Sequence, residues 1–234
     1  MTRIALLSAP TGLGLRPPEP GGVPGAGKAP ESLREAGLHR RLLESGAVDA
    51  GVELPGRYVD DDATRGPGTV RNQTALVENA RRLADRLVAV TAQGLAPLVL
   101  GGDCSLLVGM GFANARAWRG GLVHVHGHTD FRHPSGSDAV GSVAGEDLAA
   151  AVGLHLPAIA DLDGFGPYFD PDRTVHVGCR DDDEECEAAD SVIADVVPAS
   201  AVLQDGRSAA ARVGAVVGAG RCWLSPTSTC STRR

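Results

Sequence analysis

Lysine is nearly absent from this chain. Lys28 is the only one among 22 basic residues, set against 29 acidic ones, and the formal net charge is -7. Neutralising nucleic-acid phosphates needs clustered Lys and Arg, and no such stripe runs along the sequence, so a nucleic-acid partner is excluded. Long apolar runs are missing too. The opening Met1-Thr2-Arg3-Ile4-Ala5-Leu6-Leu7 carries one positive charge but too short an apolar stretch for a signal sequence, and nothing later reaches the length of a membrane span. The expectation is a soluble, cytoplasmic protein with no membrane partner. Cys104, Cys179, Cys186, Cys222 and Cys230 are odd in number and lack CxxC spacing, which argues against a disulfide framework or a Cys-rich zinc module. Ile and Asn are scarce beside abundant Arg, Ala, Gly and Pro, the usage of a GC-rich gene.

What is present suits one α/β core, since 234 residues fill one sizeable domain and would cramp two. Residues 4–7 read as a first buried strand, followed over 11–30 by a long Gly/Pro-rich loop. A helix is expected over 32–45, with Leu33, Leu38 and Leu42 as its apolar contacts. A clearer one spans 74–93, where Leu76, Ala80, Leu83, Leu87 and Val90 recur at helical spacing and Gly94 closes the element. The apolar run 95–100 ends abruptly in Gly101-Gly102-Asp103, as a strand buried on both faces does. A helix from about Ser105, a His-rich strand, a helix over 146–152 and a strand over 174–177 complete the alternation. Strands alternating with helices imply a doubly wound parallel sheet, whose ligands collect at the carboxyl ends of the strands. Asp103, Asp130 and Asp181 all follow such ends.

Two nucleotide-like motifs fail on inspection. Gly22-Val23-Pro24-Gly25-Ala26-Gly27-Lys28-Ala29 imitates a phosphate loop, but Ala29 stands where a hydroxyl must ligate Mg²⁺, and Pro30 follows. Gly218-Ala219-Gly220 opens like a dinucleotide fingerprint, with Trp223 in place of its third glycine. Both read as turns.

The chemistry is concentrated in His124-Val125-His126-Gly127-His128-Thr129-Asp130. In an extended strand alternate side chains share a face, so three imidazoles and a carboxylate are expected to converge as transition-metal ligands. The alternative is a solvent-facing polar strand. Gly121-Leu122-Val123 before the run and Phe131 after it favour a buried strand emerging into a cleft.

Four segments, in order, resemble the arginase family of ureohydrolases (arginase, agmatinase, formimidoylglutamase). They are Gly25-Ala26-Gly27 through Leu38; Gly101-Gly102-Asp103-Cys104-Ser105; His126-Gly127-His128-Thr129-Asp130; and Val177-Gly178-Cys179-Arg180-Asp181-Asp182-Asp183. The second and third are the specific ones, matching metal motifs of the form GGDHS and DAHxD. The resemblance implies a three-layer α/β/α sandwich around a parallel sheet, and attack on a guanidinium-type carbon by a hydroxide bridging two Mn²⁺ ions. It implies His128 and Asp130 as metal ligands and Asp183 as a contact to a small guanidino-type substrate, and it leaves a homo-oligomer open. Two departures matter. Cys104 stands where the family has a His ligand, and it reads either as a thiolate favouring Zn²⁺ or as a small buried side chain. His126 stands where the family has a bridging Asp, and a neutral imidazole offers one lone pair instead of two oxygens, which favours a single ion over a pair.

The family's third metal motif, Asp-x-Asp, is expected after a strand beginning at Cys222-Trp223-Leu224, and the sequence continues instead as Ser225-Pro226-Thr227-Ser228-Thr229-Cys230-Ser231-Thr232-Arg233-Arg234. Read one frame over, the codons for this stretch can spell Asp-Val-Asp-Val-Leu-Asp-Pro-Ala with the G or C wobble bases that a GC-rich gene prefers. The expectation is an incomplete arginase-like domain over 1–224, lacking its C-terminal strands, with 225–234 a disordered out-of-frame tail. The alternative is a native Ser/Thr-rich terminus. The function expected is a metal-dependent hydrolase of a linear C–N bond, impaired in this chain, with a non-catalytic metal-binding pseudoenzyme as the competing reading.

Overall fold

A computed structural model describes residues 2–135 and 141–226. Its contacts group into two compact units, Met1–Ala113 with Gly141–Ala144 and Asn114–Val140 with Gly145–Arg234. Among the described residues no helix is long and apolar enough to cross a membrane.

The first unit opens with β1 (Ile4–Ala9), followed by α1 (Ala29–Glu35), α2 (Leu38–Glu44), β2 (Val48–Val52), α3 (Gln73–Ala92), β3 (Ala96–Gly101) and the start of α4 (Leu106–Ala117). Its sheet has the order β2-β1-β3, and both pairings are parallel. β1 lies between the other two, and Ala5, Leu6 and Leu7 are wholly buried, as expected of a strand covered on both faces. The α3 stripe is as expected: Leu76, Ala80, Leu83, Leu87 and Val90 are all buried. Gly109 of α4 allows close approach, since a Cβ there would meet Ala80 backbone atoms at 3.1 Å. The single helix expected over 32–45 is two helices. Gly37 sits at φ +85° between them, a left-handed conformation that a glycine adopts without penalty and that ends one helix before the next begins. The mock phosphate loop is a short 3-10 turn, Gly25–Lys28, leading into α1.

The second unit carries β4 (Gly121–Val125), α5 (Asp147–Ala151), α6 (Pro157–Ala160), β5 (Thr174–Val177), α7 (Cys186–Asp190), β6 (Asp195–Val197), α8 (Ala199–Gln204), α9 (Gly206–Val217) and β7 (Cys222–Pro226). Its sheet is also parallel, in the order β6-β5-β4-β7. Val123, Val175 and Val197 from three strands form its apolar cluster with Ala209 and Val217 of α9. The side chain of Asp205 caps α9, accepting from the backbone N–H groups of Arg207 (3.0 Å) and Ser208 (3.2 Å). β7 pairs with β4 on one side, and its Trp223 packs on Trp118 with ring centroids 5.5 Å apart. It takes in Ser225 and Pro226, two residues past the expected boundary, and the rest of the expected tail, 227–234, lies outside the described residues.

Candidate metal centre

β4 and β5 run side by side in register, pairing His124 with His176 and Val125 with Val177. The strand stops at Val125, so the extended alternation expected through Asp130 is not what arranges the polar run. His126 still donates its N–H to Val177 O (3.1 Å), but the chain then bends, and Arg180 N reaches in to Gly127 O (3.1 Å). Asp130 takes φ +50°, a left-handed conformation that short polar side chains tolerate better than most. Only His124 therefore lies within the strand.

The bend sorts the side chains into separate environments. His126 Nδ1 lies 3.0 Å from His128 O and 2.7 Å from Asp130 Oδ2. A carbonyl only accepts, so that hydrogen bond places the proton on Nδ1 and leaves the lone pair of His126 on Nε2. Asp130 is buried, and its Oδ2 has no hydrogen bond of good geometry. The Nδ1–H of His126 is aimed at His128 O, so this carboxylate oxygen sits at contact distance from the imidazole without a well-aligned hydrogen bond, a position that a cation suits. His128 is engaged otherwise, because Arg180 Nη1 donates to its Nε2 at 2.7 Å. Burial and that guanidinium both hold the His128 pKa below the usual value, so the ring is neutral and its Nε2 lone pair is occupied. Asp183, half-buried in the turn after β5, accepts from Thr129 N (3.1 Å), Thr129 Oγ1 (3.0 Å) and Glu185 N (3.0 Å), and these bonds fix its carboxylate.

Cys104 is buried just past β3 in the first unit. The preceding Asp103 organises that turn, accepting from Gly14 N (3.1 Å), Ser105 N (2.9 Å) and the Ser105 hydroxyl. Burial nonetheless raises the Asp103 pKa.

Sequence reasoning singled out His124 but missed His176 and Asp147, which form a second layer of buried polar groups with it in the second unit. His124 Nδ1 and His176 Nδ1 are 2.9 Å apart, and His124 Nε2 lies 3.8 Å from Asp147 Oδ2 of α5. His124, Asp130 and Asp147 each present a ligand atom, all within 4.8 Å of one another. Burial, reinforced by the neighbouring imidazoles, keeps His124 far below its ordinary pKa, while burial and His126 draw His176 down to about 4. Beyond them Glu146 Oε2 meets His155 Nε2 at 2.9 Å. The available signal was polarity out of place: a His inside the apolar Thr174-Val175-His176-Val177, and an Asp opening the otherwise apolar Asp147-Leu148-Ala149-Ala150-Ala151.

The arginase family matches residues 3–225. This chain belongs to the arginase family. It is 31% identical over 163 residues to the arginase of Bacillus caldovelox, an alignment covering 68% of this chain and 54% of that protein. Human arginase-1 is 30% identical over 165 residues, covering 68% and 50% respectively. The chain thus spans about half the length of the curated relatives it matches. Among solved structures, the native arginase of B. caldovelox superposes with a TM-score of 0.80 at 25% identity, covering 96% of this chain and 75% of that one. A formiminoglutamase from Trypanosoma cruzi, solved with Mn²⁺, shares the fold at a TM-score of 0.63 and 19% identity, covering 93% and 67%. The α/β architecture of parallel sheets and flanking helices expected from the sequence is the arginase fold.

Proposed function

We propose that this arginase-family chain is a metal-dependent hydrolase of a linear C–N bond in a small guanidino or amidino compound. The observation that carries the reading is the buried Asp130 carboxylate beside His126, with Oδ2 lacking a hydrogen bond and the imidazole tautomer fixed by a backbone carbonyl. A carboxylate oxygen awaiting a cation and an Nε2 lone pair are the donor chemistry that a first-row divalent ion takes. In this reading His126 and Asp130 hold the ion, and His128 enters the ligand set once Arg180 releases its Nε2. One ion, Mn²⁺ or Zn²⁺, fits this set in place of the pair of Mn²⁺ ions that the family resemblance implies. A bound ion lowers the pKa of water and polarises the carbon under attack. Asp183, held rigid by Thr129 and Glu185, supplies an oriented anion for the amine of a guanidino substrate.

A second reading, a metal-binding pseudoenzyme, is favoured by one contact: the Arg180 guanidinium already occupies His128 Nε2. Assaying urea release from arginine and agmatine, and formamide release from formimidoylglutamate, with Mn²⁺ or Zn²⁺ separates the two. The hydrolase reading expects metal-dependent turnover of one substrate that Asp130→Asn abolishes. Absence of turnover on the whole panel by protein with its ion bound decides for the pseudoenzyme.

A further inference from the structure

The geometry points to a mononuclear metal site formed by His124, Asp130 and Asp147 within the second unit, with His176 as its positioning residue. Asp130 is shared with the ligand set proposed above. His124 and Asp147 belong to none of the motifs that carry the family resemblance, and the inference does not rest on hydrolytic activity.

His124 is fully buried, and its Nε2 has no hydrogen-bond partner. The nearest carboxylate oxygen, Asp147 Oδ2, is 3.8 Å away, too far for a hydrogen bond. That distance suits two donors on one ion, because ligands held at about 2.1 Å around a metal sit roughly 3 to 4 Å from each other. The full set, spread over no more than 4.8 Å, closes onto an ion with shifts of under about 1 Å. Donor chemistry argues the same way. Two buried carboxylates, at 8% and 1% exposure, and one imidazole are the mixed set that a divalent cation takes. Three protein ligands leave further positions for water, and the mixed N,O set suits Mn²⁺, Fe²⁺, Co²⁺ or Zn²⁺.

His176 supplies the orientation. One proton must lie between the two Nδ1 atoms 2.9 Å apart, and placing it on His124 leaves the Nε2 lone pair directed at the carboxylates. His176 then acts as the hydrogen-bonding partner that fixes a ligating histidine's tautomer.

Co²⁺ binding to the full chain tests the site, read by equilibrium dialysis and by absorption spectroscopy. One Co²⁺ per chain is expected at this site, beyond any ion on the His126 set, with d–d bands of N,O ligation and no thiolate-to-cobalt charge transfer in the near ultraviolet. His124→Asn and Asp147→Asn are expected to lose that ion, His176→Asn to weaken its binding about 10–100-fold, and Cys104→Ser to leave affinity and spectrum unchanged. Asp147→Asn is isosteric, its folding is checked by circular dichroism, and the wild-type spectrum is informative without any variant. A charge-transfer band removed by Cys104→Ser overturns the proposal, as does wild-type affinity in Asp147→Asn or wild-type protein that takes up no ion. Inactivity toward every guanidino compound leaves these readouts untouched, so failure of the hydrolase reading and failure of this one are distinguishable.

Discussion

His176 has its pKa drawn down to about 4 chiefly by burial, with the nearby His126 adding to the effect and Asp183 opposing it. In an unfolded chain the same imidazole titrates near 6.5, so between those values the unfolded state binds a proton that the folded state refuses. Stability is therefore complete above about pH 6.5, falls as the pH drops toward 4, and levels off below. Urea midpoints of metal-free protein at pH 7 and pH 5 are expected to show the decline, and His176→Asn is expected to lessen it, with the depressed His124 and His128 supplying the remainder. An equal decline in that variant assigns the effect to other groups. The His128 ring offers a parallel measurement. Arg180 is one of the causes depressing its pKa, so Arg180→Met is expected to raise the His128 midpoint in an NMR titration of the metal-free chain. An unmoved midpoint means that Arg180 does not contribute to the depression.

Elements were legible where one pattern governed them. The apolar run of β1 and the helical stripe of α3 stand at their expected places because burial selects those residues, whereas β3 forms where expected but, last in the order β2-β1-β3, leaves all but Leu100 half-buried and not covered on both faces. Gly37 marks a break that the apolar residues only hint at, since Leu33 and Leu38 are five positions apart, off helical spacing, and the backbone's positive φ between them ends one helix. Gly37→Ala forces an L-residue into that conformation, and the nearest atom to the new Cβ is the flexible end of Arg40 at 3.2 Å, so the cost is backbone strain. A loss of about 1–2 kcal/mol is expected in chemical denaturation, and an unchanged midpoint would show that the helix junction relaxes. The site divides the same way. Spacing brought His126 and Asp130 to notice, but alternation was the wrong reason, because a bend brings them together after the strand has ended. Asp147 comes from α5 and His176 from β5, and only the fold sets them beside His124.

At the scale of the whole molecule, an ion that binds the folded state and not the unfolded one stabilises it by mass action, by about 2.7 kcal/mol at a hundredfold excess over Kd. Melting of the metal-loaded chain is therefore expected to shift upward and to return on adding a chelator. The edge of the second sheet raises a different issue. β7 pairs only with β4 among the described residues, and Leu224 on it is 63% exposed, an apolar side chain beside unpaired backbone donors and acceptors. Such an edge recruits further strands, including those of other copies, and natural sheets suppress this with charge. Leu224 contributes little burial, so Leu224→Lys is expected to lower light scattering at high protein concentration while leaving the denaturation midpoint within about 0.5 kcal/mol of the parent. Trp223 next to it, packed on Trp118, holds the strand in place and serves as the contrast. Trp223→Lys is expected to destabilise the unit and worsen scattering, and equal behaviour of the two variants would mean that edge pairing does not drive association.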